Sequence, residues 1–129
     1  MDIGKFKGNY QYYDDSLFVD SEIVLTIKEN PELNIHIGSE YFHEIFEEPV
    51  FDGRPWRGFT RDYQELKGAF SVENIYGIEM SNPQEYLDDM MNYLNKKFKS
   101  KETREAFDLI VNFLRFAISE GKNVFVEES

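Results

Sequence analysis

The sequence predicts an α+β fold, a mainly antiparallel sheet packed against two C-terminal helices, with residues 1–129 forming a single domain. Three observations predict it. Short β-branched and aromatic runs fill the first third of the chain, and a period of about 3.6 residues dominates the last third. With 129 residues, of which 41% are hydrophobic and 16% aromatic, the chain has apolar material for one core.

Taken in order, LFVDSEIVLTI (17–27) reads as one or two strands, closed by the turn signal Asn30-Pro31. LNIHI (33–37) alternates Leu33, Ile35 and Ile37 with Asn34 and His36, the pattern of a half-buried strand antiparallel to the one before it. Gly38-Ser39 breaks that strand, and Ser39 is placed to cap a short helix, SEYFHEIFEE, whose Phe42, Ile45 and Phe46 share a face and which Pro49 ends. From Val50 to Met80, glycines at 53, 58, 68 and 77 and scattered aromatic residues predict short strands and turns. ELKGAFSV and IYGIEM are read there as a hairpin through Glu73-Asn74, with Gly77 at a bulge. Asn82, Pro83 and Glu85 then form an N-terminal helix signature. Leu87, Met90, Met91, Leu94 and Phe98 extend the pattern, predicting a helix over 83–99. A second helix starts at Ser100, buries a broad band from Phe107 to Ile118 and stops at Gly121. Val124 to Val126 is expected to return as a strand at a sheet edge.

Charge is unevenly spread. The chain carries 25 acidic and 14 basic residues, a formal net charge of −11, and residues 1–49 alone hold 11 acidic against 3 basic. The absence of cysteine excludes a disulfide framework, a thiolate nucleophile and cysteine-ligated metal. No segment approaches the ~18 apolar residues of a membrane span, and MDIGKFKGNY lacks the apolar run of a secretory signal. The expected address is therefore cytoplasmic, with no membrane partner.

Catalytic signatures are missing: there is no nucleophile elbow, phosphate-binding glycine loop or dinucleotide fingerprint. His43-Glu44-Ile45-Phe46-Glu47 resembles half a zincin helix without its second histidine, and His36 sits on a different predicted element. Asp88 and Asp89 are expected on the solvent side of their helix. The chain is therefore read as not an enzyme, with no catalytic residue, no cofactor and no metal assigned. GRPWRGFTRDY interleaves Arg54, Arg57 and Arg61 with Trp56, Phe59 and Tyr63, a composition shared by base-stacking sites and interface hot spots. A net charge of −11 repels nucleic acid, and Asp52, Asp62 and Glu65 interrupt the arginines, so nucleic acid is not the expected partner. The segment is read instead as structural and interfacial, with Trp56 anchoring a loop in the core and the arginines paired with nearby carboxylates.

The remaining signal is a negative surface studded with tyrosine. Tyr10, Tyr12, Tyr13, Asp14, Asp15, Asp20 and Glu22 come from its first part, and Glu40, Glu44, Glu47 and Glu48 from the short helix. Arg54, Trp56 and Arg57 join them as partner-binding candidates. Such a surface speeds encounter with a basic protein, and tyrosine adds contact area at little entropic cost. An acidic, cysteine-free α+β chain with an aromatic-glycine centre, WRGFTRDYQELKGAF, and a terminal helix pair resembles the small immunity proteins of bacterial contact-dependent growth inhibition systems. The resemblance implies a cytoplasmic antidote that binds and neutralises a toxin C-terminal domain, often a nuclease, by steric and electrostatic blocking. Three alternatives stand beside it: a phage- or plasmid-encoded nucleic-acid mimic that inhibits a host protein, a small enzyme using a carboxylate cluster, and an adaptor or subunit of a homo-oligomer. The oligomeric state is left open.

Overall fold

The computed structural model describes residues 3–12, 22–65, 78–80 and 82–128. A single 3₁₀ turn (Ile3–Phe6) leads into strand β1 (Asn9–Tyr12). Strands β2 (Glu22–Ile27) and β3 (Asn34–Gly38) follow, then helices α1 (Ser39–Phe46) and α2 (Gly58–Glu65) and strand β4 (Ile78–Met80). Helices α3 (Pro83–Met91) and α4 (Lys101–Ser119) and strand β5 (Val124–Glu128) complete the order. The fold is α+β. Its five-stranded sheet, in the order β1-β3-β2-β5-β4, is mixed rather than purely antiparallel, because β1 runs parallel to β3.

The β2–β3 hairpin forms where the alternation of LNIHI places it, with Ile23 opposite Ile37 and Leu25 opposite Ile35. Those four side chains and Ile27 are almost fully buried, whereas Asn34 and His36 are half-buried on the opposite face. Strand β5 is no edge strand: it lies between β2 and β4, pairing Leu25 with Val126 and Met80 with Val124. Val124 and Val126 face the core side of this central strand, which is why both are buried while Phe125 between them is only half-buried. The hairpin through Glu73-Asn74 and the bulge at Gly77 lie outside the described residues.

The first helix starts at Ser39 itself, with Gly38 in the capping position and no side-chain cap. The residues read as short strands and turns contain a helix instead, α2, whose Phe59 and Tyr63 are one turn apart. Helix α3 stops at Met91, eight residues short of the 83–99 expectation, because the next residues turn back. That turn aims Lys96 at the end of α1 and lays Phe98 against Phe107, ring centroids 5.6 Å apart. Helix α4 matches its sequence signals at both ends. The Ser100 Oγ accepts the Thr103 N–H at 3.2 Å, and Gly121 takes φ +64 in a closing motif in which Lys122 N donates to Ala117 O.

Helices α1 and α4 share one core with the inner face of the sheet, and α3 packs on both α4 and α2. Between α1, α2 and α3 the core is aromatic. Phe46 meets Tyr93 edge-on at 5.3 Å and Phe59 meets Tyr86 at 4.9 Å, the geometry ring quadrupoles favour.

Candidate partner-binding surface

The acidic and aromatic candidates divide into two separate groups. On the outer face of the sheet, Tyr10 stacks on His36 with ring centroids 3.8 Å apart, and the His36 Nδ1 lies 3.0 Å from Glu22 Oε1. Tyr12 does not join them. Simple alternation would put Tyr10 and Tyr12 on one face, but three residues of β1 advance against two of β3 between Asn9 and Tyr12, a bulge that turns Tyr12 toward α4. Its hydroxyl donates to Glu105 Oε2 at 3.1 Å beside an open depression of about 250 Å³ lined by Lys5, Asn9, Glu105, Asp108, Leu109 and Asn112. Burial and the Glu105 carboxylate push the Tyr12 phenol up to about 12. Tyr13, Asp14, Asp15 and Asp20 lie outside the described residues.

The second group surrounds the end of α1. Glu40 stands exposed in the first turn, where a carboxylate favours the helix dipole. Glu44 is committed to the fold: its Oε2 accepts the Lys99 N–H at 2.9 Å. The Lys96 ammonium donates to the carbonyls of Glu44, Ile45 and Glu48 at 3.3, 2.8 and 3.1 Å, closing the helix's unsatisfied end. Burial lowers the Lys96 pKa, against the pull of Glu48, Glu47 and Glu44. Glu47 and Glu48 are exposed and make no ion pair among the described residues.

Beyond Pro49 the chain runs into a loop closed around Asp52. The Asp52 carboxylate accepts from Arg54 (Nη2, 2.9 Å), Arg57 (Nη2, 2.7 Å) and Asn92 (Nδ2, 3.1 Å), with Gly53 at φ +88 making the turn. Arg57 and Arg54 hold this carboxyl far below the usual carboxylate range. The expected pairing of the arginines with nearby carboxylates is present here, and again where Arg61 bridges Asp62 and Glu85. The expected role of Trp56 is corrected. The indole is 39% exposed and Phe51 66%, and the two rings meet at 5.2 Å and 66° on the surface. Phe59 takes the core position in that segment, because α2 begins at Gly58 and turns Phe59 inward.

Sequence reasoning missed the polar network beneath this loop. Asp89 is 3% exposed, not on the solvent side of α3. Its Oδ2 accepts the Thr60 N–H at 2.9 Å and both its oxygens lie within 2.9 Å of the Thr60 hydroxyl. The Tyr93 hydroxyl, 2.6 Å from Thr60 Oγ1, accepts the Val50 N–H at 3.3 Å. Burial pushes the Asp89 carboxyl up to about 6 although the Thr60 bonds and Arg57 pull it down. Alongside, the Tyr86 hydroxyl donates to Asp62 and Arg61 donates to Glu85 at 2.9 Å. Asp89 thus caps α2 from another helix, supplying an acceptor that position 57, an arginine, lacks. A signal was present: Tyr86, Asp89, Met90 and Tyr93 follow i, i+3, i+4, i+7 spacing, so Asp89 lies in the apolar stripe.

The arrangement mounts two exposed rings on a loop fixed from below by Asp52, Asn92 and Tyr93, with two carboxylates at its start that have no ion pair among the described residues. Among the described residues no group of three or more histidine and acidic side chains is placed to hold a metal. His43 instead faces Tyr63, with Nδ1 2.6 Å from the hydroxyl. Comparison with protein-family models, with curated proteins and with solved structures finds no match for this chain.

Proposed function

We propose that this protein works by binding, as a cytoplasmic immunity protein that neutralises a basic toxin domain, a nuclease in the first instance, by steric and electrostatic blocking without turnover. The observation that carries the proposal is the exposed Phe51–Trp56 pair, held rigid by the Asp52 clasp. Aromatic anchors that need no ordering on contact are the residues that dominate interface energies. The net charge of −11 supports rapid capture of a cationic partner. Glu22 lies on the sheet face while Glu47 and Glu48 lie at the end of α1. That separation favours an aromatic contact with an acidic margin over imitation of a nucleic-acid backbone.

The test is co-expression with the protein encoded directly upstream of this chain. A stoichiometric complex that relieves its toxicity is expected, weakened at least tenfold in Kd by replacing Phe51 and Trp56 together with alanine. A metabolite converted by the isolated protein, or full protection by the double variant, would overturn the proposal.

A further inference from the structure

We infer that the Phe51–Trp56 corner is a seat for an arginine side chain of the partner. The inference rests on the binding role proposed above and specifies what that surface recognises. Trp56 lies between two arginines of its own chain, Arg54 and Arg57, and guanidinium groups readily stack on indole faces. Neither does so. Both are drawn to Asp52, at 2.9 and 2.7 Å, whereas Arg61, Arg104, Lys5 and Lys96 each lie over a Phe or Tyr ring elsewhere. The indole, 39% exposed, is left open to a foreign cation, with the Phe51 ring beside it at 5.2 Å.

The electrostatic setting fits that occupant. Glu47 and Glu48 precede Phe51 by four and three residues, so their backbones lie within about 14 and 11 Å of it by chain length alone. Asp88 is exposed on α3 one turn before Asn92, which itself donates to Asp52. Arg54 and Arg57 share the Asp52 carboxylate and Lys96 faces Glu47 and Glu48, so with Asp88 the four carboxylates around the corner outnumber the three cations by one, and a guanidinium over the ring meets a π face and a small net negative charge. A hydrophobic or acidic side chain gains nothing from the second. Arginine suits the seat better than lysine because its planar head stacks and remains a donor to Glu47 or Glu48.

The single tryptophan makes the test direct, since fluorescence excited at the red edge of the absorption band, where the eight tyrosines do not absorb, reports Trp56 alone. The intact protein is titrated at 0.15 M salt with capped hexa-arginine and, in parallel, capped hexa-glutamate. A saturable change with hexa-arginine only is expected. Phe51→Ala is expected to weaken it about two- to fivefold, the range of exposed cation–π contacts. Glu47→Gln with Glu48→Gln is expected to weaken it further and reduce its salt dependence. Phe51 is exposed, so its alanine variant keeps the fold. No fluorescence response, an equal response to hexa-glutamate, or binding indifferent to Phe51→Ala would each overturn the inference. The binding role is judged separately by relief of toxicity. A wild-type protein that protects without responding to hexa-arginine sinks the arginine seat alone, and one that responds without protecting sinks the immunity reading alone.

Discussion

Gly58 holds the backbone where α2 meets α3. It has φ +60, and a Cβ there would stand 2.8 Å from the Asp89 Cβ and 3.1 Å from the Tyr86 Cα. Gly58→Ala therefore meets both left-handed strain and overpacking, a cost of about 2–5 kcal/mol. Gly121→Ala has the same backbone strain at φ +64 with nothing within 4 Å, and is expected to cost only about 1–2 kcal/mol. Urea midpoints of the two variants measure the difference, and equal shifts would remove the close approach as a cause. Asp89 gives the pH dependence. Its carboxyl titrates near 6 in the folded protein against an ordinary 3.8, so the native state holds the proton more tightly than the unfolded chain. That contribution is fully present below about pH 4 and is lost as pH rises through 6, about 3 kcal/mol in all. Asp89→Asn cannot titrate, so its stability relative to wild type is expected to rise between pH 4 and pH 7. A constant gap across that range would contradict it.

Among the elements, α1 and α2 owe their ends to distant side chains. Lys96 closes α1 through three carbonyls and Asp89 opens α2 through Thr60. Lys96→Met keeps the stem but removes those bonds, with an expected loss of about 1–3 kcal/mol and faster amide exchange in α1 than in α4. Uniform acceleration in both helices would argue against a local cap. The same dependence explains what could be read from the chain. Helix α4 was legible because Ser100 and Gly121 lie next to it, and the β2–β3 hairpin because its pattern is local. Helix α2 was not, since its cap lies 29 residues away, and of the pattern Leu87, Met90, Met91, Leu94 and Phe98 that predicts α3 only Met90 is fully buried, Tyr86 and Tyr93 taking the other inward places. Of the surface, the arginine–carboxylate pairing was legible from spacing. The exposure of Trp56 was not, because composition cannot say whether Trp56 or Phe59 takes the inward position.

Across the whole molecule, the charge excess of residues 1–49 does not act as a block. Glu44 accepts a backbone bond and Glu22 faces His36, whereas Glu47 and Glu48 are exposed and make no ion pair among the described residues. Glu47→Gln with Glu48→Gln is therefore expected to slow association with a basic partner and flatten its dependence on salt, with a small loss of stability because both carboxylates attract Lys96. Glu44→Gln is expected to cost stability with less effect on the association rate. Stopped-flow association rates from 0.05 to 0.5 M salt separate the two, and identical slopes for wild type and the double variant would mean that these carboxylates do not steer.

The place of β5 in the sheet bears on how the protein is made. It joins β2 to β4, yet it is the last element in chain order. A ribosome-bound nascent chain lacking it has the β2–β3 hairpin but no strand to bring Met80 alongside, so cooperative closure waits until the stretch from 124 to 128 has cleared the exit tunnel. Nascent chains stalled while that stretch is still inside should remain open to protease, and those carrying an added C-terminal linker long enough to bring it out of the tunnel should resist it.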